Sequence, residues 1–150
     1  LSPMLPRMHG PLAVAVAATF VWLGMVLAIS FLEAPLKFRA PGVTLQIGLG
    51  IGRLVFRALN TCEVVLAAGV VIATWSSEVS MVTRMALLVA AAMVAAQILL
   101  VRPALTRRSD RVLAGAEGPR SHAHYAYVAL ELVKVVALLA GGVLLLLGSA

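Results

Sequence analysis

The sequence predicts an all-α integral membrane protein, an up-down bundle of four helices. Three observations carry this: an apolar excess, four apolar runs of membrane-crossing length, and basic residues gathered in alternate links. Of the 150 residues, 62% are hydrophobic and 12% charged, and mean hydropathy is +1.04. Soluble domains carry about 45–50% apolar and about 25% charged residues. A globule of this size keeps much of its surface in water and cannot hide such a surplus. Disorder is excluded by the same composition. The net charge of +6 in a soluble domain would point to nucleic acid. Here no basic face is interleaved with stacking aromatics, so no nucleic-acid partner is expected.

The first apolar run, Pro11 to Leu32, has no charge. It exceeds the apolar core of a signal peptide, and three further runs follow it. The second spans about Leu54–Trp75 and contains Arg57 and Glu63. The third, Met85–Val101, is shorter, with Gln97 its strongest polar group, and the fourth, Tyr125–Leu147, holds Glu131 and Lys134. About 20 apolar residues suffice to cross a hydrocarbon core of about 30 Å. Between the runs lie a link rich in Pro, Gly and Lys/Arg (Glu33–Gly52), a short one (Ser76–Arg84) and an arginine-rich one (Arg102–His122). The first and third links hold most of the Lys and Arg, so they are expected on the cytoplasmic side with both termini outside. Trp75 then falls at the outer interface and Tyr125 and Tyr127 at the inner one. No internal repeat is evident that would mark an inverted-repeat transporter.

Charges inside membrane spans are costly and mark either structural pairing or a functional site. On a helix at about 100° per residue, Arg53, Arg57, Asn60 and Val64 fall on one stripe with Glu63 at its edge. In the fourth run His124, Tyr127, Glu131 and Lys134 share a face. Glu63 and Lys134 lie at matched depths, each about 12–15 Å inside at about 1.5 Å per residue. Arg57 is shallower, within expected reach of Glu131, His124 or Glu33. One polar cluster in the cytoplasmic half is therefore predicted, comprising Arg57, Asn60, Glu63, His124, Glu131 and Lys134. It is a set of structural ion pairs, a seat for a quinone, haem, proton or ion, or a set of charges some of which pair with the helices of a partner subunit.

Other patterns give less. His122 and His124 point to opposite sides of a helix, His9 lies across the membrane from them, and two ligands leave a zinc site incomplete, so no metal site is expected. Cys62 has no disulfide partner. Gly48, Gly50 and Gly52 lack a preceding strand and a Walker lysine, which excludes a phosphate loop. Gly48 and Gly52 do form a GxxxG, a close-packing device for membrane helices. The six methionines form no copper series. Ser30, Thr61 and Ser80 have no neighbouring base of the kind a nucleophile needs.

The run FVWLGMVLAISFLEAPLKF resembles the opening of small four-helix membrane proteins grouped around transmembrane protein 205. Those have a Gly-containing first helix followed by Pro-x-x-Phe, here Pro35, Leu36, Lys37 and Phe38. The segment SHAHYAYVALELVKVVALL resembles their last helix, which a His introduces. A more distant likeness is to HemJ-type and copper-resistance-D-type proteins, which implies haem or copper chemistry. The haem histidine of that pattern would lie inside the first helix, where this chain has none between Thr19 and Met25.

The expectation is thus a small protein of a bacterial cytoplasmic membrane, in contact with lipid and other membrane subunits. The leading role is a non-catalytic accessory or assembly subunit. The competing role is a redox or transport protein working through the polar cluster.

Overall fold

Ala and Leu lose little side-chain freedom in a helix, and packing of neighbouring elements holds the Val among them in the same conformation. The computed structural model describes residues 10–113 and 122–148, and it is helical with no strand among them. Helix α1 (Gly10–Val26) runs into a π-helical stretch (Leu27–Glu33), one α-turn (Ala34–Leu36) and a 3-10 turn (Lys37–Arg39). The chain reverses at Gly42, whose φ of 81° suits a residue without Cβ. Thr44 caps α2 (Leu45–Trp75), its Oγ1 accepting from the Ile47 N–H at 3.2 Å. Ser80 caps α3 (Met81–Ala96) in the same way, accepting from Thr83 N–H. The turn between α2 and α3 is tied by Arg84, whose Nη2 donates to the Ser77 and Thr74 carbonyls at 2.9 and 3.3 Å. A second π stretch (Gln97–Val101) joins α3 to α4 (Arg102–Leu113), and α5 (His122–Gly148) follows.

The result is four helical rods long and apolar enough to cross a membrane: Gly10–Arg39, Leu45–Trp75, Met81–Arg111 and His124–Gly148. They outrun the apolar runs of the sequence. Most of the expected first link is helix, since α2 begins at Leu45, and the arginine-rich third link opens as α4. Hydropathy marks where lipid-like composition stops, whereas backbone hydrogen bonding carries the helix on through polar residues.

Both π stretches have a visible cause. Each ends two residues before a proline, Pro35 or Pro103. Proline has no N–H to offer, and its ring crowds the carbonyl one turn back, so the preceding turn widens. The N–H groups of Ala34 and Arg102 reach back to Ile29 and Gln97, five residues away rather than four. Glu63 and Glu131 follow these two prolines at the same interval along the chain.

Contacts fix the arrangement. The first rod packs on the second and fourth, and the third packs on the same two. Trp22 meets Glu63 while Phe38 meets Gly48, so the first two rods run antiparallel. Leu87 meets Gly141 and Gln97 meets Lys134, so the last two do as well. Arg53 pairs with Asp110 where Arg84 bonds the end of α2, which sets the middle pair antiparallel. Up-down-up-down topology follows.

Trp22, Leu23, Val26, Val70, Leu87, Ala90, Val94 and Leu138 form the apolar core. The outer surface is no less apolar: Leu54, Leu99, Leu100 and Leu147 are 70%, 71%, 75% and 68% exposed. Charge is what lies inside. Glu63 and Lys134 are fully buried and Glu131 nearly so.

Candidate functional site

The site is a chain of hydrogen bonds that takes one or more groups from every rod. At its centre is Lys134, whose ammonium has three N–H donors and three acceptors around it. These are Glu63 Oε2 at 2.6 Å, Glu131 Oε1 at 2.5 Å and Gln97 Oε1 at 2.7 Å. Lys134 and Glu131 are three apart on α5 and so share a face. Glu63 comes from α2, and Gln97 is the first residue of the second π stretch. The other oxygens of the carboxylates are held from the first rod and from Asn60. Ser30 Oγ donates to Glu131 Oε2 at 2.7 Å, while Trp22 Nε1 donates at 2.8 Å to the same Glu63 Oε2 that Lys134 holds. Ser30 lies in the first π stretch, so both widened turns deliver a polar group to the same centre.

The network continues toward the end of the bundle that carries most of the basic residues. With its amide oriented to satisfy both neighbours, Asn60 accepts from Arg102 Nη2 at 2.6 Å and donates to Glu63 Oε1 at 3.3 Å. The Tyr127 hydroxyl is 3.5 Å from the same amide. The Arg102 guanidinium lies over the Tyr127 and Phe56 rings, 5.5 and 5.8 Å from their centroids. Two carboxylates, Glu63 and Glu131, thus face two cations, Lys134 and Arg102. Balanced charge is what an interior of low dielectric demands.

Four of the six cluster residues read from the sequence meet here: Asn60, Glu63, Glu131 and Lys134. Arg57 does not join them. It is about 60° around the helix from Asn60 and about 120° from Glu63, and it opens into a cleft on the α3–α4 side. Its expected partners are otherwise engaged, Glu131 with Lys134 and Glu33 with Lys37 at 3.7 Å. His124 stands half-buried near the start of α5, its ring edge-on to Tyr125 at 5.7 Å, and the network closes without it. His9 lies outside the described residues. Among the described residues no group of three His, Cys, Asp or Glu is placed to hold a metal.

Tyr127, expected in an aromatic belt, has its side chain buried within the bundle, in phase with Glu131 and Lys134. The Gly48–Gly52 pair packs closely, though not against a helix. Gly48 leaves room for the Phe38 ring, and a Cβ on Gly52 would lie 3.1 Å from Lys37 Nζ. Both glycines receive the last turn of the first rod as it folds back, and Phe38 is the Phe of the Pro-x-x-Phe element. The close helix contacts are at Gly141 and Gly142 instead, against Leu87 and Phe20.

Trp22, Ser30, Gln97 and Arg102 belong to the network and carried little sequence signal of it. Each sits in an apolar or link segment where one polar group has no periodic companion. For Ser30 and Gln97 a signal did exist in the following prolines, which change the turn and so the direction of the side chain.

Comparison with protein families, with curated proteins and with solved structures returns no match to this chain.

Proposed function

We propose that this chain is a multi-pass protein of a bacterial cytoplasmic membrane, acting as a non-catalytic accessory or assembly subunit of a larger membrane complex. The observation that carries the role is the closure of the Lys134 site. All three donors of the ammonium are committed to acceptors of this chain. A site that must take up a substrate, haem or quinone keeps a position open for it. A closed network joining four rods instead fixes their register, leaving the outer faces to meet lipid and partner helices. The membrane location is supported by the inversion of polarity: charge inside, Leu and Val outside. The basic end, with α4 and the Lys37–Arg39 turn, is assigned to the cytoplasm by the positive-inside rule. The resemblance to the transmembrane protein 205 group is kept as a proposal on fold alone.

Native mass spectrometry of gently extracted protein tests the role. Extra polypeptides at fixed stoichiometry are expected. A lone chain carrying a discrete small-molecule mass would overturn the subunit reading.

One observation favours the transport or redox alternative. Asn60 is bonded into the network and also lines the cleft that opens beside it. A hydrogen-bonded path therefore leads from that cleft to Lys134. Under this reading, Glu63→Gln leaves the bundle assembled yet abolishes a proton or ion flux measured in proteoliposomes.

A further inference from the structure

The cleft itself has a chemistry the network does not use. It lies between α2 and the α3–α4 rod, with a volume of about 260 Å³. Arg53, Arg57 and Arg102 line it, together with Thr61 and Thr106. Arg53 is paired with Asp110 at 2.8 Å, and Arg102 is bonded to Asn60. Arg57 is exposed, and among the described residues no carboxylate pairs with it. Three arginines thus line the cleft: Asp110, more than half exposed, offsets Arg53, the buried carboxylates offset Arg102 through Asn60, and Arg57 is left uncompensated. The arrangement lacks an anion. Toward the middle of the bundle the cleft wall turns apolar, through Val64 and Ile98.

Its depth identifies which anion. The 31 residues of α2 measure about 46 Å at about 1.5 Å per residue, beyond a hydrocarbon core of about 30 Å. The apolar run Leu54–Trp75 fills that core, which puts Arg53 and Arg57 at its boundary, where long basic side chains reach up to the headgroup layer. We propose that the cleft binds the phosphodiester headgroup of an anionic phospholipid, with an acyl chain against Val64 and Ile98. Guanidinium forks match phosphate oxygens bidentately, and basic pockets between membrane helices on the cytoplasmic side suit such headgroups. A free phosphate ion would have no use for the apolar wall. The inference rests on the bundle lying in a bilayer.

The test uses the full chain in two stages. Flotation with phosphatidylcholine vesicles first reports insertion. Phosphatidylglycerol is then titrated into the protein in phosphatidylcholine nanodiscs and retained lipid is read by native mass spectrometry. One phosphatidylglycerol per chain is expected, unaffected by millimolar inorganic phosphate. Arg57→Gln lowers the affinity about fivefold, the equivalent of one basic contact near a lipid surface, while Arg39→Gln, exposed and not part of the cleft lining, leaves it unchanged. Equal effects of the two substitutions, equal retention of phosphatidylcholine, or full competition by inorganic phosphate would each overturn the lipid site. A chain that floats but shows no preference removes this proposal alone, whereas one that fails to float removes the membrane reading along with it.

Discussion

Replacing Lys134 with Met is the most informative single perturbation of this fold. Met matches the length of the lysine stem, so packing around it is retained and the ammonium alone is lost. Glu63 and Glu131 then remain inside the bundle, with Arg102, held through Asn60, as the one cation still bonded into the network. Breaking a buried charge pair by removing one partner costs about 3–5 kcal/mol. Leaving Gln97 Oε1 without its donor adds about 1 kcal/mol. Glu63→Gln is milder, because Lys134 keeps Glu131 and Gln97 and Trp22 can still donate to the new amide oxygen. Its cost is that of one hydrogen bond to a charged group, about 1.5–3 kcal/mol.

The three-body geometry makes a sharper statement. Glu63→Gln in the Lys134→Met background still leaves Glu131 uncompensated and recovers part of the loss. Adding Glu131→Gln recovers most of it, since a buried ion cluster replaced as a whole is often close to neutral. Unfolding by SDS titration in mixed micelles, followed through buried Trp22, reads all four variants. Effects that add to within about 0.5 kcal/mol would mean that these side chains do not interact, and the reasoning would fail. So would a triple variant less stable than Lys134→Met alone.

Three further outcomes follow from the same contacts. Trp22→Phe keeps an aromatic ring but removes the donor to Glu63 and part of the indole volume, and a loss of at least about 1.5–3 kcal/mol is expected in an SDS titration followed by helical circular dichroism, since the emission probe is gone; an unchanged midpoint would deny that bond any weight. Gly142→Ala puts a methyl 2.8 Å from Phe20 Cζ, an overpacking worth about 1–3 kcal/mol, whereas Gly24→Ala meets open space inside a helix and does not lower the midpoint; equal effects at both positions would refute the close packing of the first and fourth rods. In a Cys62→Ser background, a cysteine at exposed Arg107 reacts with a membrane-impermeant maleimide only from the cytoplasm, and one at exposed Glu78 only from outside; the reverse pattern would invert the proposed orientation.

Much of the polar core was legible because helical periodicity and depth are both arithmetic on residue numbers. Glu63 and Lys134 were matched by counting from the ends of their spans, and Tyr127, Glu131 and Lys134 by their spacing on one face. Counting failed where a side chain sits near the edge of a face. Arg57 lies two steps of three from Glu63, each about 60° short of a full turn, and the summed 120° or so carries it off the network face to the cleft. His124 has the right phase but stands at the end of α5, beyond the network.

The sequence by itself determined the number of rods, their apolar exteriors and the collection of basic charge at one end. These follow from composition and from the length of chain a bilayer requires, quantities that are sums over residues. Which polar groups meet was decided by the tertiary structure. Pro35 and Pro103 each widen the turn before them, and the shift in direction aims Ser30 and Gln97 at carboxyl and ammonium groups about a hundred and about forty residues further on. Such encounters depend on the rotation of one rod against another. Packing of whole faces sets that rotation, and no single stretch of chain contains it.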